Sequence, residues 1–221
     1  MSRGKGRQSR SDADTFGSAG SAARLTPGVL RERGIGSFFR ARDVAALGLG
    51  SRDLRRLVEQ GTVERVARGL YRLAEAEPTE RYSIAAVCAQ VPSAIVCLLS
   101  ALNVHDLGTQ LPRHVWIAIP HKAHPPRNPS VGLRVVRFSG AALRYGVEAI
   151  EFEGVPGRIT SPARTVVDCF RFRRLVGPEA AHQALRDAMR DRKVTADEIW
   201  RAAEVCRARS LVGPALEALS T

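Results

Sequence analysis

A chain of 221 residues, 44% hydrophobic but only 5% aromatic, can bury one large core or two small ones. Its formal charge of +12 is uneven: residues 1–73 carry 15 Arg/Lys against 7 Asp/Glu, and residues 74–221 carry 19 against 15, so a polyanion is the expected partner of the N-terminal third. Four widely spaced cysteines, Cys88, Cys97, Cys169 and Cys206, contain no CxxC pair, which excludes a disulfide framework and leaves buried free thiols in a reducing cytoplasm.

Residues 1–23 are rich in Ser, Gly, Arg and Ala and are expected to form a disordered basic tail. No apolar stretch follows their basic residues, so no secretory signal is expected. Thr26-Pro27 supplies an N-cap and first position for a helix to about Arg33, which would pack through Val29 and Leu30. Ala41 to Leu47 predicts a second short helix. A turn at Gly48-Leu49-Gly50 follows, where two glycines permit positive φ. The next helix opens with Ser51 as N-cap and stops at Gly61. Two strands, Val63 to Val66 and Leu70 to Leu73, joined through Ala67-Arg68-Gly69, complete the order helix, turn, helix, hairpin. That order is a winged helix-turn-helix over residues 24–73.

The helix from Ser51 decides what this unit can do. With Leu54 at 0° and about 100° per residue, Val58 falls near 40° and Leu57 near 300°, which defines a buried face. Arg52, Arg56 and Glu59 fall at about 140–200°, on the opposite face, with Arg55 on its flank near 100°. A recognition helix needs this layout, because apolar residues seat it while arginines reach base edges and phosphates. Arg68 at the wing tip, with Arg65 and Arg72 on its strands, would contact the flanking backbone or minor groove. The expected DNA-binding residues are therefore Ser51, Arg52, Arg55, Arg56, Arg65, Arg68 and Arg72.

The composition changes abruptly at residues 74–78, an expected linker, and residues 79–221 are expected to fold as a second, α+β domain. Helices are predicted from Thr79 to Gln90 and from Ser93 to Leu102. The run from Ser83 to Leu102 is apolar, but Gln90-Val91-Pro92-Ser93 interrupts it, so two buried helices are expected in place of a membrane span. Strands are predicted at His114 to Ile119, Leu133 to Phe138, Ala149 to Phe152 and Gly157 to Ile159, giving a small sheet of about four strands. Thr160-Ser161-Pro162 starts a helix to about Phe172. Further helices are predicted at Pro178 to Asp191, Thr195 to Ala208 (opened by the capping box Thr195-Ala196-Asp197-Glu198) and Pro214 to Leu219.

The order of residues resembles the AbiEi family, the antitoxins of type IV toxin–antitoxin systems. In the N-terminal part the resemblance rests on Leu57-Val58-Glu59-Gln60-Gly61, Glu64-Arg65 and Arg68-Gly69-Leu70-Tyr71. In the remainder it rests on Ser100-Ala101-Leu102, His105-Asp106-Leu107, Pro112 to Pro120, and Ile159 to Asp168. It implies a winged helix that represses its own operon at inverted repeats in the promoter. It also implies a C-terminal antitoxin domain that counters a nucleotidyltransferase-like toxin without a stable complex, and two jobs that separate at the linker. The residues alone leave open a stand-alone transcription factor whose second domain senses a ligand or assembles subunits.

No catalytic residues, metal or cofactor are expected. His121 and His124 lack further ligands and are read as surface histidines of a mobile, proline-rich loop. Asp168, four residues after Arg164 and three before Arg171, is read as a structural ion pair. Glu151 and Glu153 flank Phe152, but no Glu-x-Lys follows for a nuclease. Neither a Gly-rich phosphate loop nor a GxSxG elbow is found.

Overall fold

The computed structural model describes residues 25–74, 81–127 and 129–219. The expected tail 1–23 and most of the expected linker, 75–78, lie outside the described residues, as do Thr79 and Glu80 of the first C-terminal helix.

The N-terminal unit runs α1 (Pro27–Glu32), β1 (Phe38–Arg40), α2 (Ala41–Ala45), α3 (Ser51–Glu59), β2 (Val63–Ala67) and β3 (Leu70–Leu73). The three strands form one sheet in the order β1-β3-β2, antiparallel throughout. The sequence reading missed β1, since its three residues are too few to show an alternation. α1 begins as expected, with Thr26 Oγ1 accepting from the Val29 amide and Pro27 in the first turn. Leu30, Ile35, Phe39, Val44, Leu54, Leu57, Val63 and Leu73 make the core of this unit. Gly48 takes φ +79° in the turn, where its amide bonds Ala45 and the Leu49 amide bonds Val44. Gly50 is extended and is itself the cap of α3, with its amide donating 2.9 Å to Asp53 Oδ2. Ser51 is therefore the first helical residue and not the N-cap. Gly61 stands just past the helix at φ +66°, as expected.

The second half is a five-stranded sheet in the order β6-β5-β4-β8-β7, with helices on both faces. Its elements in chain order are α4 (Tyr82–Gln90), β4 (Ile95–Val96), α5 (Leu98–Val104), β5 (Val115–Pro120), β6 (Leu133–Phe138), β7 (Val147–Phe152) and β8 (Val155–Thr160). Then come α6 (Pro162–Arg171), α7 (Arg173–Val176), α8 (Pro178–Arg190), α9 (Ala196–Val205) and α10 (Arg209–Glu217). β4 replaces the first half of a predicted helix: Ile95 and Val96 pair with Ala118 and Ile117 of β5, and Val96 also pairs with Ile159 of β8. Two β-branched residues at the centre of the sheet gain more from that pairing than from a helical turn. α10 starts five residues before Pro214, which lies inside it. The capping box at Thr195–Glu198 forms as expected.

Alternation along β5 divides the core. Val115, Ile117 and Ile119 face a cluster that includes α4, while Trp116 and Ala118 face one built with α6, α8, α9 and α10. Phe38 and Leu70 of the winged helix belong to the first cluster, each under a tenth exposed. Burying two such side chains contributes about 1.5–3 kcal/mol each. Arg40 also donates across the junction to the carbonyl of Ala89. The two halves thus share a continuous apolar contact.

Candidate nucleic-acid interface

α3 is held by two leucines. Leu54 and Leu57 are almost fully buried against Val44 and Val63, which fixes the opposite side outward. Val58, expected on the buried face, lies at its edge and is 36% exposed. Arg52, Arg55 and Arg56 are exposed along the outer side, and Arg65 and Arg68 are exposed on the wing. None of these five forms an ion pair among the described residues. Asp53, in the first turn of the same helix, is occupied with the Gly50 amide. Five uncompensated guanidinium groups on one helix and the neighbouring hairpin can form bidentate contacts with phosphates and guanine edges.

Arg72 departs from the expectation. It is only 8% exposed, and its Nε and Nη2 donate to Glu64 Oε2 at 3.2 and 2.7 Å. Its guanidinium carbon lies 5.0 Å from the centre of the Tyr82 ring. Period-two alternation turns Arg72 to the sheet face that meets α4, so it is no surface contact. Arg42, on the exposed side of α2, was not singled out from sequence. Its side chain is 81% exposed and lies 3.7 Å from Asp43.

The C-terminal half holds its charge differently. Asp168 and Arg164 are both fully buried, with Arg164 Nε donating to Asp168 Oδ2 at 2.9 Å. Arg171 Nη1 donates to Oδ1, also at 2.9 Å, and Arg164 Nη1 donates to the Tyr145 carbonyl at 2.6 Å. Both partners proposed from spacing are therefore engaged. Burial pushes the Asp168 carboxyl up, and the two arginines oppose it. Gly146 (φ +58°) passes so close that a Cβ there would stand 2.8 Å from Arg164 Cβ. Both carboxylate oxygens of Asp168 are thus engaged by arginine, as a structural ion pair requires. His121 and His124 are exposed, but their loop is tied down: Arg137 Nη1 donates to the carbonyls of His121 and Ala123 at 2.5 and 2.8 Å. Among the described residues no group of three or more His, Cys, Asp or Glu is placed to hold a metal ion, and no helix is long and apolar enough to cross a membrane. All four cysteines are free and buried, and burial pushes the Cys88 thiol up to about 12.

Where the halves meet, a cleft of about 620 Å³ opens between Phe38, Arg40, Arg42 and Leu70 on one wall and Ala89, Pro92, Val155 and Pro156 on the other.

Residues 29–74 match a protein family described as "Transcriptional regulator, AbiEi antitoxin". The match falls on the winged helix, the first of the two parts that carry the resemblance in sequence, and supports a DNA-binding regulator of antitoxin type. A search of curated proteins finds no match. Among solved structures, the chain is similar to the RV2827C protein from Mycobacterium tuberculosis, with a TM-score of 0.56 and 16% identity over 83% of this chain and 71% of that one. At that identity the likeness establishes the shared α+β fold.

Proposed function

We propose that the chain is a non-enzymatic, cytoplasmic DNA-binding repressor of its own operon that doubles as an antitoxin. Its operator would be inverted repeats in its own promoter, read by Arg52, Arg55 and Arg56 in the major groove and steadied by Arg65 and Arg68 on the phosphates. Ser51, exposed in the first turn of α3, would offer its hydroxyl to a phosphate. The observation that carries this proposal is the ridge of five unpaired arginines on a winged helix whose family match is to antitoxin regulators. The antitoxin part would act against a nucleotidyltransferase-like toxin, without a stable complex and without metal or cofactor. It rests on the resemblance alone, since among the described residues of 79–221 no group of three or more His, Cys, Asp or Glu is placed to hold a metal ion. Co-expression tests it: the chain should restore growth to cells making a nucleotidyltransferase encoded beside it, and unrelieved toxicity would contradict it.

The junctional cleft favours a second proposal, a stand-alone transcription factor gated by a small ligand. A neighbouring reading frame for a nucleotidyltransferase would favour the first. A ligand that changes promoter binding when no toxin gene adjoins would favour the second.

A further inference from the structure

The two wing strands are not held by their own pairing alone. Glu64 of β2, Arg72 of β3 and Phe38 of β1 are direct cross-strand partners, so one row of side chains crosses the whole N-terminal sheet. Tyr82, the first residue of α4, covers that row. Its ring lies 5.0 Å from the Arg72 guanidinium carbon and 5.3 Å from the Phe38 ring centre. Closer to the tip, Val66 and Ala67 are half-buried against the apolar cluster that α4 helps to build. Arg68 follows immediately. A two-stranded ribbon by itself is marginally stable in water. Arg72 is 8% exposed, and the Glu64 carboxylate and the Tyr82 ring face both help to offset its lost hydration.

We propose that Tyr82 braces the wing, so that the C-terminal half sets where Arg68 meets DNA and Tyr82, Arg72 and Glu64 act as positioning residues for the interface. This rests on the DNA-binding proposal above. Without the ring, Arg72 rehydrates and the row loosens, and a mobile Arg68 must be ordered again on binding. An ordered tip avoids that cost. The wing would then belong functionally to both halves.

The test uses the full chain and four variants: Arg68→Ala, Tyr82→Leu, Tyr82→Phe and the double variant Arg68→Ala/Tyr82→Leu. Each is titrated on a duplex from its own promoter and on a scrambled duplex at several salt concentrations. Amide exchange of residues 64–72 is followed in parallel. Tyr82→Leu should weaken both duplexes several-fold, by the same factor as Arg68→Ala, and lower the salt slope by about one. Tyr82→Phe should bind like the parent, because it keeps the ring. The double variant should bind no worse than Arg68→Ala, and wing amides should exchange faster in Tyr82→Leu while those of α3 do not. Multiplicative losses in the double variant, or unchanged wing exchange in Tyr82→Leu, overturn the proposal. If the parent shows no affinity for either duplex, the DNA-binding proposal fails instead, and the exchange measurement still decides whether the brace exists. Should Tyr82→Leu not fold, Phe38→Leu removes the facing ring and must give the same pattern.

Discussion

The chain uses arginine in two opposite ways. On α3 and the wing, Arg52, Arg55, Arg56, Arg65 and Arg68 stand exposed with no ion pair among the described residues. On α6, Arg164 is fully buried and shares Asp168 with Arg171, its guanidinium carbon 4.7 Å from the centre of the Phe138 ring. The first set is free to exchange water and counterions for a polyanion. The second has already spent its charge inside the protein. A count of basic residues cannot tell these apart; burial and pairing can.

The largest effect should come from breaking the buried set. Asp168→Ala leaves Arg164 charged, buried and without its carboxylate, which costs about 3–5 kcal/mol of stability in urea unfolding. A loss within about 0.5 kcal/mol, the range of ordinary surface changes, would place the cluster among surface pairs. The exposed set should behave in reverse. Arg52→Ala and Arg56→Ala should each lose about 1–3 kcal/mol of specific DNA binding and leave the urea midpoint almost unmoved. Arg68→Ala should cost less and act without sequence preference, lowering the salt slope by about one on promoter and random duplexes alike. A promoter-specific loss would instead make Arg68 a base reader.

The smallest effect belongs to His105, which links the α5 end to the strand before α6. Its Nε2–H donates 2.7 Å to the Thr160 carbonyl, and burial lowers its pKa, with that hydrogen bond opposing. A histidine depressed in the folded chain contributes stability that is fully present above about pH 6.5 and is lost as pH falls through the lower folded value. The urea midpoint of the parent should therefore drop more between pH 7.5 and 5 than that of His105→Asn. Equal slopes would remove His105 from the account.

The winged helix was legible because its signals are local. Thr26-Pro27, Gly61 and the helical spacing of Leu54 and Leu57 act over three or four residues, and the structure places them as the spacing requires. The i, i+4 spacing of Arg164 and Asp168 was readable for the same reason. What failed was long-range. β4 has two residues, and only β5 and β8, whose partners lie 21 to 63 positions downstream, make it a strand. Arg72 looked like any basic residue on a wing until α4 arrived to cover it. Val58 was misassigned because the apolar stripe of α3 is narrower than the wheel implies: Leu54 and Leu57 join the core of this unit, whereas Val58 stays 36% exposed. Ser51 lost the cap to Gly50 because Asp53 supplied the accepting oxygen. The shared cluster of Phe38 and Leu70 with α4 has no local signature either, since a composition break at 74–78 says nothing about what packs across it.

The most direct test of the account is the double variant Arg52→Ala/Arg56→Ala of the full chain. It should be titrated by fluorescence anisotropy on promoter and scrambled duplexes at several salt concentrations, with urea unfolding alongside. The account predicts an unchanged urea midpoint and a promoter affinity that falls to the level of the scrambled duplex, a loss of about 2–6 kcal/mol if the two contacts add. Promoter affinity equal to that of the parent, in a variant that folds normally, would show that α3 does not read DNA.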